Sequence, residues 1–284
     1  MKLCRFKTQI EEVRIGLVEE DVVLDLTAGG LTSMQPLLEA EDPLPHIYEL
    51  RRWELPRLPL SRVKLCAPVE RQEVWAAGVT YLRSKRARIE ESEFSATAYD
   101  RVYEAPWPEL FFKCLAEKVV GPGEPVGIRG DARWSVPEPE LALVLNSRGR
   151  LVGYTIGNDM SSRDIEGENL LYLPQAKIYH RSCALGPWVS LGAPEAVARQ
   201  WNIGLEVRRE ARLLFTGSTS AGRIKRSFEE LADFLYRSQQ FPHGAVLLTG
   251  TGIVPDNDLT LREGDIVKIE VSGIGLLENP VVVV

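Results

Sequence analysis

Apolar and polar positions along the chain follow a period of two far more often than a helical period, and the runs are short. Val13, Ile15 and Leu17 alternate with polar residues, and a second run covers Val22–Leu26. Together they predict a hairpin turning at Glu19-Glu20-Asp21. Thr32 or Ser33 is placed to cap a short helix through Glu39, and Pro43, Pro45, Pro56 and Pro59 mark a linker over the surface. From Val74 onward, short strands broken by Gly and Pro dominate: Val74–Ala77, Leu141–Leu145, Leu151–Ile156, Trp188–Leu191, Ala245–Leu248 and Ile266–Val271. One helix stands out at Ser227–Arg237. Ser227 and Glu230 form a capping box, and Phe228, Leu231, Phe234 and Leu235 make one apolar stripe. A polar, exposed helix is also expected around Lys85–Tyr99. The pattern predicts a strand-dominated α+β protein with a few peripheral helices. It divides into a small N-terminal α+β domain over 1–65 and a larger domain over 66–284.

The most informative stretch runs from Trp134 to Asp159 and holds two apolar runs joined by Ser147-Arg148-Gly149-Arg150. With Arg148-Gly149 as a two-residue loop, Ser147 faces Arg150, Leu145 faces Val152, Leu143 faces Tyr154 and Glu138 faces Asp159. Alternation puts Glu138 and Glu140 on one face, and cross-strand pairing adds Asp159 to it. Three crowded carboxylates repel one another unless a cation neutralises them. An all-oxygen set favours Mg²⁺, with Mn²⁺ or Ca²⁺ as alternatives, over zinc. The competing reading is a solvated acidic hairpin end, and a one-residue register slip would send Asp159 to the opposite face.

Composition narrows the function classes. The 284 residues carry 34 Lys and Arg against 40 Asp and Glu, a net charge of −6, which disfavours nucleic acid as a partner. No run approaches the ~20 apolar residues of a membrane span. The opening segment MKLCRFKTQIEEV lacks the apolar run of a signal peptide, so a cytoplasmic protein is expected. Cys4, Cys66, Cys114 and Cys183 form no C-x-x-C pair, which points to reduced structural thiols. His46, His180 and His243 fit no metal-ligand spacing.

Several motifs, in order, resemble the fumarylacetoacetate hydrolase superfamily over about residues 70–284. They are Phe111-Phe-Lys113, Pro137-Glu-Pro-Glu-Leu-Ala-Leu-Val-Leu145, Gly153-Tyr-Thr-Ile-Gly-Asn-Asp-Met-Ser-Ser-Arg-Asp164, Gln175-Ala-Lys177 and Gly186-Pro-Trp188. Thr249-Gly-Thr-Gly252, Glu263-Gly-Asp265 and Gly275-Leu-Leu-Glu-Asn-Pro280 complete the set. The resemblance implies a mixed β-sandwich roll behind the small N-terminal domain, a homodimer or homotetramer, and Glu138, Glu140 and Asp159 as ligands of Mg²⁺ or a similar ion. Tyr103-Glu, Glu109-Leu-Phe-Phe-Lys113, Glu168-Asn, Tyr172-Leu-Pro-Gln175 and Lys177-Ile-Tyr179 look like the branch that dehydrates 2-keto-3-deoxy sugar acids of the arabinonate type. The hydrolase branch places a His and a Glu after its Gly-x-Asn-Tyr loop to activate water. Here Gly78-Val-Thr-Tyr81 is followed by Ser84 and Ala87 at those places, which favours elimination over C–C hydrolysis.

The chemistry this implies starts from a small-molecule 2-oxo acid chelating the ion, which acidifies its C3 protons and stabilises the enolate. The C4 hydroxyl then leaves as water, and 2,5-dioxopentanoate results. Lys177 is the leading base, since a nearby dication favours its neutral form; a purely electrostatic lysine is the alternative. Glu109 and Thr251 hold the water that assists departure, as the dehydratase resemblance implies. Glu109 also fits an ordinary strand-end position. Arg163 orients the carboxylates or binds substrate, or else pairs with Asp164 or Glu166. Lys113 stabilises substrate oxygens or is simply solvated. Tyr81, Ser84 and Arg86 lie in a polar loop that can close over the substrate, or at an exposed helix start. The glycines of Thr249-Gly-Thr-Gly252 permit close backbone approach at a pocket rim; with no Lys-Ser/Thr following, they bind no nucleotide. The alternatives in function are an acylpyruvate-type hydrolase or oxaloacetate decarboxylase of the same fold, and a metal-binding protein without activity.

Overall fold

A computed structural model describes residues 1–52, 54–82, 102–255 and 258–284. Its strands, in chain order, begin with β1 (Lys2–Lys7), β2 (Arg14–Glu19), β3 (Val22–Asp25), β4 (Arg57–Pro59), β5 (Lys64–Cys66) and β6 (Glu73–Gly78). Next come β7 (Glu109–Cys114), β8 (Val126–Ile128), β9 (Ser135–Val136), β10 (Pro139–Leu145), β11 (Leu151–Asp159) and β12 (Ser161–Ser162). The last are β13 (Cys183–Leu191), β14 (Asn202–Arg209), β15 (Arg212–Ser220), β16 (Ala245–Leu248), β17 (Ile266–Val271) and β18 (Gly275–Val283). The helices are short: α1 (Gln35–Glu39), α2 (Leu44–Leu50), α3 (Arg163–Glu168), α4 (Leu173–Lys177), α5 (Glu195–Ala198) and α6 (Phe228–Tyr236). None is long and apolar enough to cross a membrane among the described residues.

The large sheet runs β4-β3-β2-β1-β13-β11-β10-β16-β6-β7, with β5 also on β1; the second runs β15-β14-β17-β18-β8. Most pairs are antiparallel, but β16–β6 and β18–β8 are parallel, so both sheets are mixed. Leu141, Leu143 and Ile156 from the large sheet share one buried cluster with Ile203, Leu205, Val267 and Ile269 from the second. The two sheets therefore pack face to face. On its other face β10 contributes Ala142 to a cluster with Leu185, Val246 and Leu248. A strand covered on both faces reads as an unbroken apolar run, which is what Leu141–Leu145 is. Across the boundary expected at residue 65, Arg5–Lys7 pair with Lys64–Cys66 and Lys2–Leu3 pair with Val189–Ser190, so both parts of the chain share one sheet.

The N-terminal hairpin forms as expected, Glu19 facing Val22 with Glu20 at φ 52° in the turn. The proline-dotted segment is not the surface linker its prolines suggested. Pro45 occupies the first turn of α2, where its missing N–H costs nothing, and Arg57–Pro59 form the edge strand β4 on β3. Ser33 Oγ accepts from Gln35 N ahead of α1. In α6 the Ser227 hydroxyl accepts from Glu230 N at 3.0 Å, but the Glu230 carboxylate turns to Arg226 instead of closing the capping box. The helix expected around Lys85–Tyr99 falls outside the described residues.

The hairpin β10–β11 corrects one expectation while keeping its consequence. The turn closes a residue earlier, with Asn146 N donating to Arg150 O and Gly149 N donating to Asn146 O. Gly149 sits at φ 75°, where glycine is unstrained. A bulge at the Val144/Leu145 step then restores the phase: Leu145 faces Leu151, whereas Leu143 faces Tyr154 as expected. Towards the open end, Glu140 faces Gly157, and Asp159 N donates to Glu138 O at 3.0 Å.

Candidate metal centre and active-site cleft

The open end of that hairpin carries the carboxylates. Glu138, Glu140 and Asp159 each offer an oxygen within 4.8 Å of the others, and all three side chains are buried. Three cations reach them from separate elements. Arg163, opening α3, donates to Glu138 Oε1 at 2.8 Å. Lys177, closing α4, donates to Glu138 Oε2 at 2.7 Å, to Asp159 Oδ2 at 3.0 Å and to Ser161 Oγ. Lys113, on β7, pairs with the second oxygen of Asp159. Glu140 differs from its neighbours. Its Oε2 accepts the Gly250 N–H at 2.6 Å, and among the described residues it makes no ion pair. Burial, then the charges of Asp159 and Glu138, push its carboxyl above the usual carboxylate range.

This donor set fits a hard divalent cation. All three ligands are oxygens, they converge, and Glu140 is a buried carboxylate that makes no ion pair among the described residues. The cleft over the cluster is lined by Ala77, Gly78, Val79, Glu109, Phe111, Glu166, Gly250 and Thr251 besides the three carboxylates, Arg163 and Lys177. Larger clefts exist elsewhere, one of about 480 Å³ beside Lys118 and His180, but among the described residues the carboxylate trio gathers at this cleft alone.

Of the residues singled out from sequence, Glu109, Glu138, Glu140, Asp159, Arg163, Lys177 and Thr251 meet at this cleft. Thr251 Oγ1 both accepts from Ile253 N and donates to Ile253 O, each at 3.2 Å, which fixes its hydroxyl at the rim. Two expectations give way. Lys113 was expected at substrate oxygens, yet it is fully buried. Its Nζ is committed to Asp159, Met160 O and Lys177 O, so its three N–H bonds are used within the protein. Tyr81 was expected in a polar loop, yet it is 1% exposed and packs against Gly252, where a Cβ would lie 2.5 Å from the ring. Ser84 and Arg86 lie outside the described residues. Glu166 is the residue that sequence reading passed over as a site member. It sits three positions after Arg163 on α3 and is buried at the cleft, a spacing that puts the two on one helix face.

Residues 74–282 match the family model described as fumarylacetoacetate (FAA) hydrolase C-terminal. The chain is 46% identical over 217 residues to a probable 2-keto-3-deoxyxylonate dehydratase of Haloferax volcanii, covering 76% of this chain and 74% of that one. It is 41% identical over 225 residues to a 2-dehydro-3-deoxy-D-arabinonate dehydratase of Saccharolobus solfataricus, covering 78% and 76%. A solved 2-keto-3-deoxy-D-arabinonate dehydratase complexed with magnesium and 2,5-dioxopentanoate superposes with a TM-score of 0.84 at 32% identity, over 100% of this chain and 99% of that one. The matched segment runs from β6 to β18, short of one residue at each end, and holds all three carboxylates, and the chain belongs to the fumarylacetoacetate hydrolase family.

Proposed function

We propose that this chain is a magnesium-dependent hydro-lyase that dehydrates a 2-keto-3-deoxy pentonate to 2,5-dioxopentanoate. The observation that carries the reading is one convergence: three buried carboxylates, a buried lysine touching two of them, and Glu109 and Thr251 lining the same cleft. The relatives and the solved neighbour supply the substrate class, since each is a dehydratase of such a sugar acid.

Glu138, Glu140 and Asp159 would hold Mg²⁺ (or Mn²⁺ or Ca²⁺), and the bound ion would supply Lewis acidity that makes the C3–H of a 2-oxo acid more acidic. Lys177 Nζ, which donates to Glu138, Asp159 and Ser161 in the metal-free protein, would take the C3 proton in its neutral form, the form that a bound dication favours. Ser161 Oγ and the two carboxylates aim that nitrogen, so its direction is set before substrate arrives. Glu109 and Thr251 serve the other side of the reaction, holding the water through which the C4 hydroxyl receives its proton and leaves. Arg163 keeps the Glu138 carboxylate oriented through its own bond to Oε1. The unpaired thiols of Cys4, Cys66, Cys114 and Cys183 suit the reducing cytoplasm, and the exposed outer side of β15 at the sheet edge offers a surface for a homodimer or homotetramer.

The direct test supplies each stereoisomer of 2-keto-3-deoxy pentonate with Mg²⁺ and follows 2,5-dioxopentanoate. Product should form with at least one isomer and stop on chelation. Inertness towards all isomers, with C–C cleavage of an acylpyruvate instead, would overturn the reading.

A further inference from the structure

Gly78 ends β6 directly opposite Glu109, the first residue of β7. Opposed residues of an antiparallel pair share a face, and both line the cleft above the carboxylate cluster. A Cβ built on Gly78 would lie 2.0 Å from Glu109 Oε2 and 2.6 Å from Glu109 Cδ. The Glu109 carboxylate is therefore folded over the backbone of residue 78, in space that any side chain there would fill. Backbone conformation does not explain the glycine, because Gly78 is absent from the positive-φ positions. Gly250, across the same cleft, contrasts with it at φ 87°. What position 78 supplies is room for one carboxylate.

We propose that Gly78 is a positioning residue that seats the Glu109 carboxylate in the cleft and so controls departure of the hydroxyl separately from removal of the C3 proton. This rests on the role given to Glu109 above. The atoms a Cβ would strike are the far end of a flexible side chain, so an alanine at 78 displaces the Glu109 carboxylate and leaves the strand intact. The three atoms nearest to such a Cβ all belong to Glu109. Enolisation should continue while elimination fails.

The experiment uses the full chain with Mg²⁺ and the variants G78A, E109Q, E109D and the two double variants. Dehydration is read from 2,5-dioxopentanoate. Enolisation is read from deuterium uptake at C3 of pyruvate, which has no hydroxyl to lose. G78A should lose at least about tenfold in kcat for dehydration, while deuterium uptake stays within about twofold of the parent. G78A/E109Q should be no slower than E109Q, because two changes acting through one carboxylate do not multiply. In the E109D background, adding G78A should cost less than about twofold, since the shorter side chain does not reach back over residue 78. The inference is overturned if G78A dehydrates at the parental rate, if its losses multiply with those of E109Q, or if deuterium uptake falls in step with dehydration. Should G78A not fold, the E109D pair decides by the same criterion. Parental dehydration by E109Q would instead overturn the role of Glu109, and this inference with it; an impaired E109Q beside an unimpaired G78A overturns this inference alone.

Discussion

Replacing Glu140 with glutamine should strengthen the metal-free protein and weaken its grip on metal. Glu140 is 1% exposed, has no ion-pair partner among the described residues, and lies within 4.8 Å of two other carboxylates through its ligand oxygen. Like charges at that distance repel by roughly 3 kcal/mol at an effective dielectric of about 20. Lys113, Arg163 and Lys177 offset part of this from the other two carboxylates. Glutamine keeps the shape and the acceptor for Gly250 N–H while removing the charge. Relief of that repulsion is worth at most about 3 kcal/mol, and each kcal/mol moves the melting temperature of a chain this size by roughly 2 to 4 °C. The carboxyl is held above its ordinary 4.5, so the folded state favours its protonated form. Stability is thus present below that pH and lost as pH rises, and the advantage of E140Q widens on the alkaline side. Metal affinity should fall at least about 100-fold, or 2.7 kcal/mol. Mg²⁺ at about 100 times the parental Kd adds roughly 2.7 kcal/mol to the parent and at most about 0.4 kcal/mol to the variant. Thermal melts in chelator and in Mg²⁺, with calorimetric titration, measure both effects. A variant that melts below the parent in chelator, or that gains as much from Mg²⁺, would refute the reasoning.

Lys113→Met removes the buried partner of Asp159 and should cost about 3 to 5 kcal/mol, visible as a fall of roughly 6 to 20 °C in melting temperature; a melt unchanged from the parent would remove Lys113 from the site's framework. Lys177→Met should slow deuterium uptake at C3 of pyruvate by at least about 100-fold with Mg²⁺ stabilisation retained, and uptake at the parental rate would point to another base. Burial pushes the Cys4 thiol up to about 12 from 9.0, so the folded protein keeps a proton that the unfolded chain loses, and stability drains away as pH rises across that interval. Cys4→Ala should flatten the decline of melting temperature with alkaline pH, and parallel slopes in the two proteins would count against it.

The hairpin and its carboxylates were legible because a strand's period of two is insensitive to where the turn falls, provided the phase is kept. The early turn at Asn146 shifts the register by one, and the bulge beside Leu145 shifts it back, so the faces of Glu138, Glu140 and Asp159 come out unchanged. Neither event has a local signal in Asn-Ser-Arg-Gly that fixes it in advance. The proline-dotted segment misled for a related reason. Proline fits a first helical turn and an edge strand as well as a linker, and only pairing with β3 chooses among them. The destination of Lys113 depends on β7 lying across the cluster from Asp159, a long-range placement that no local pattern encodes. Glu166 was hidden because its only signal is its helical spacing from Arg163, which a surface ion pair shares.

Two isosteric changes on one face separate the ligand trio's structural work from its chemistry. Glu138 already has its charge met, by Arg163 on one oxygen and Lys177 on the other. Glu140, two residues on, accepts a backbone N–H and makes no ion pair among the described residues. In the metal-free protein the cations from β7, α3 and α4 therefore neutralise two of the three carboxylates, which lets a buried cluster of this kind fold before any ion arrives. The remaining demand for positive charge lies at Glu140. It follows that Glu138→Gln, unlike Glu140→Gln, removes a charge that two buried cations contact, and should lower stability in chelator by about 3 to 5 kcal/mol. Both variants should lose Mg²⁺ affinity. Melting shifts of the same sign for the two in chelator would mean that their charges are not partitioned as these contacts require.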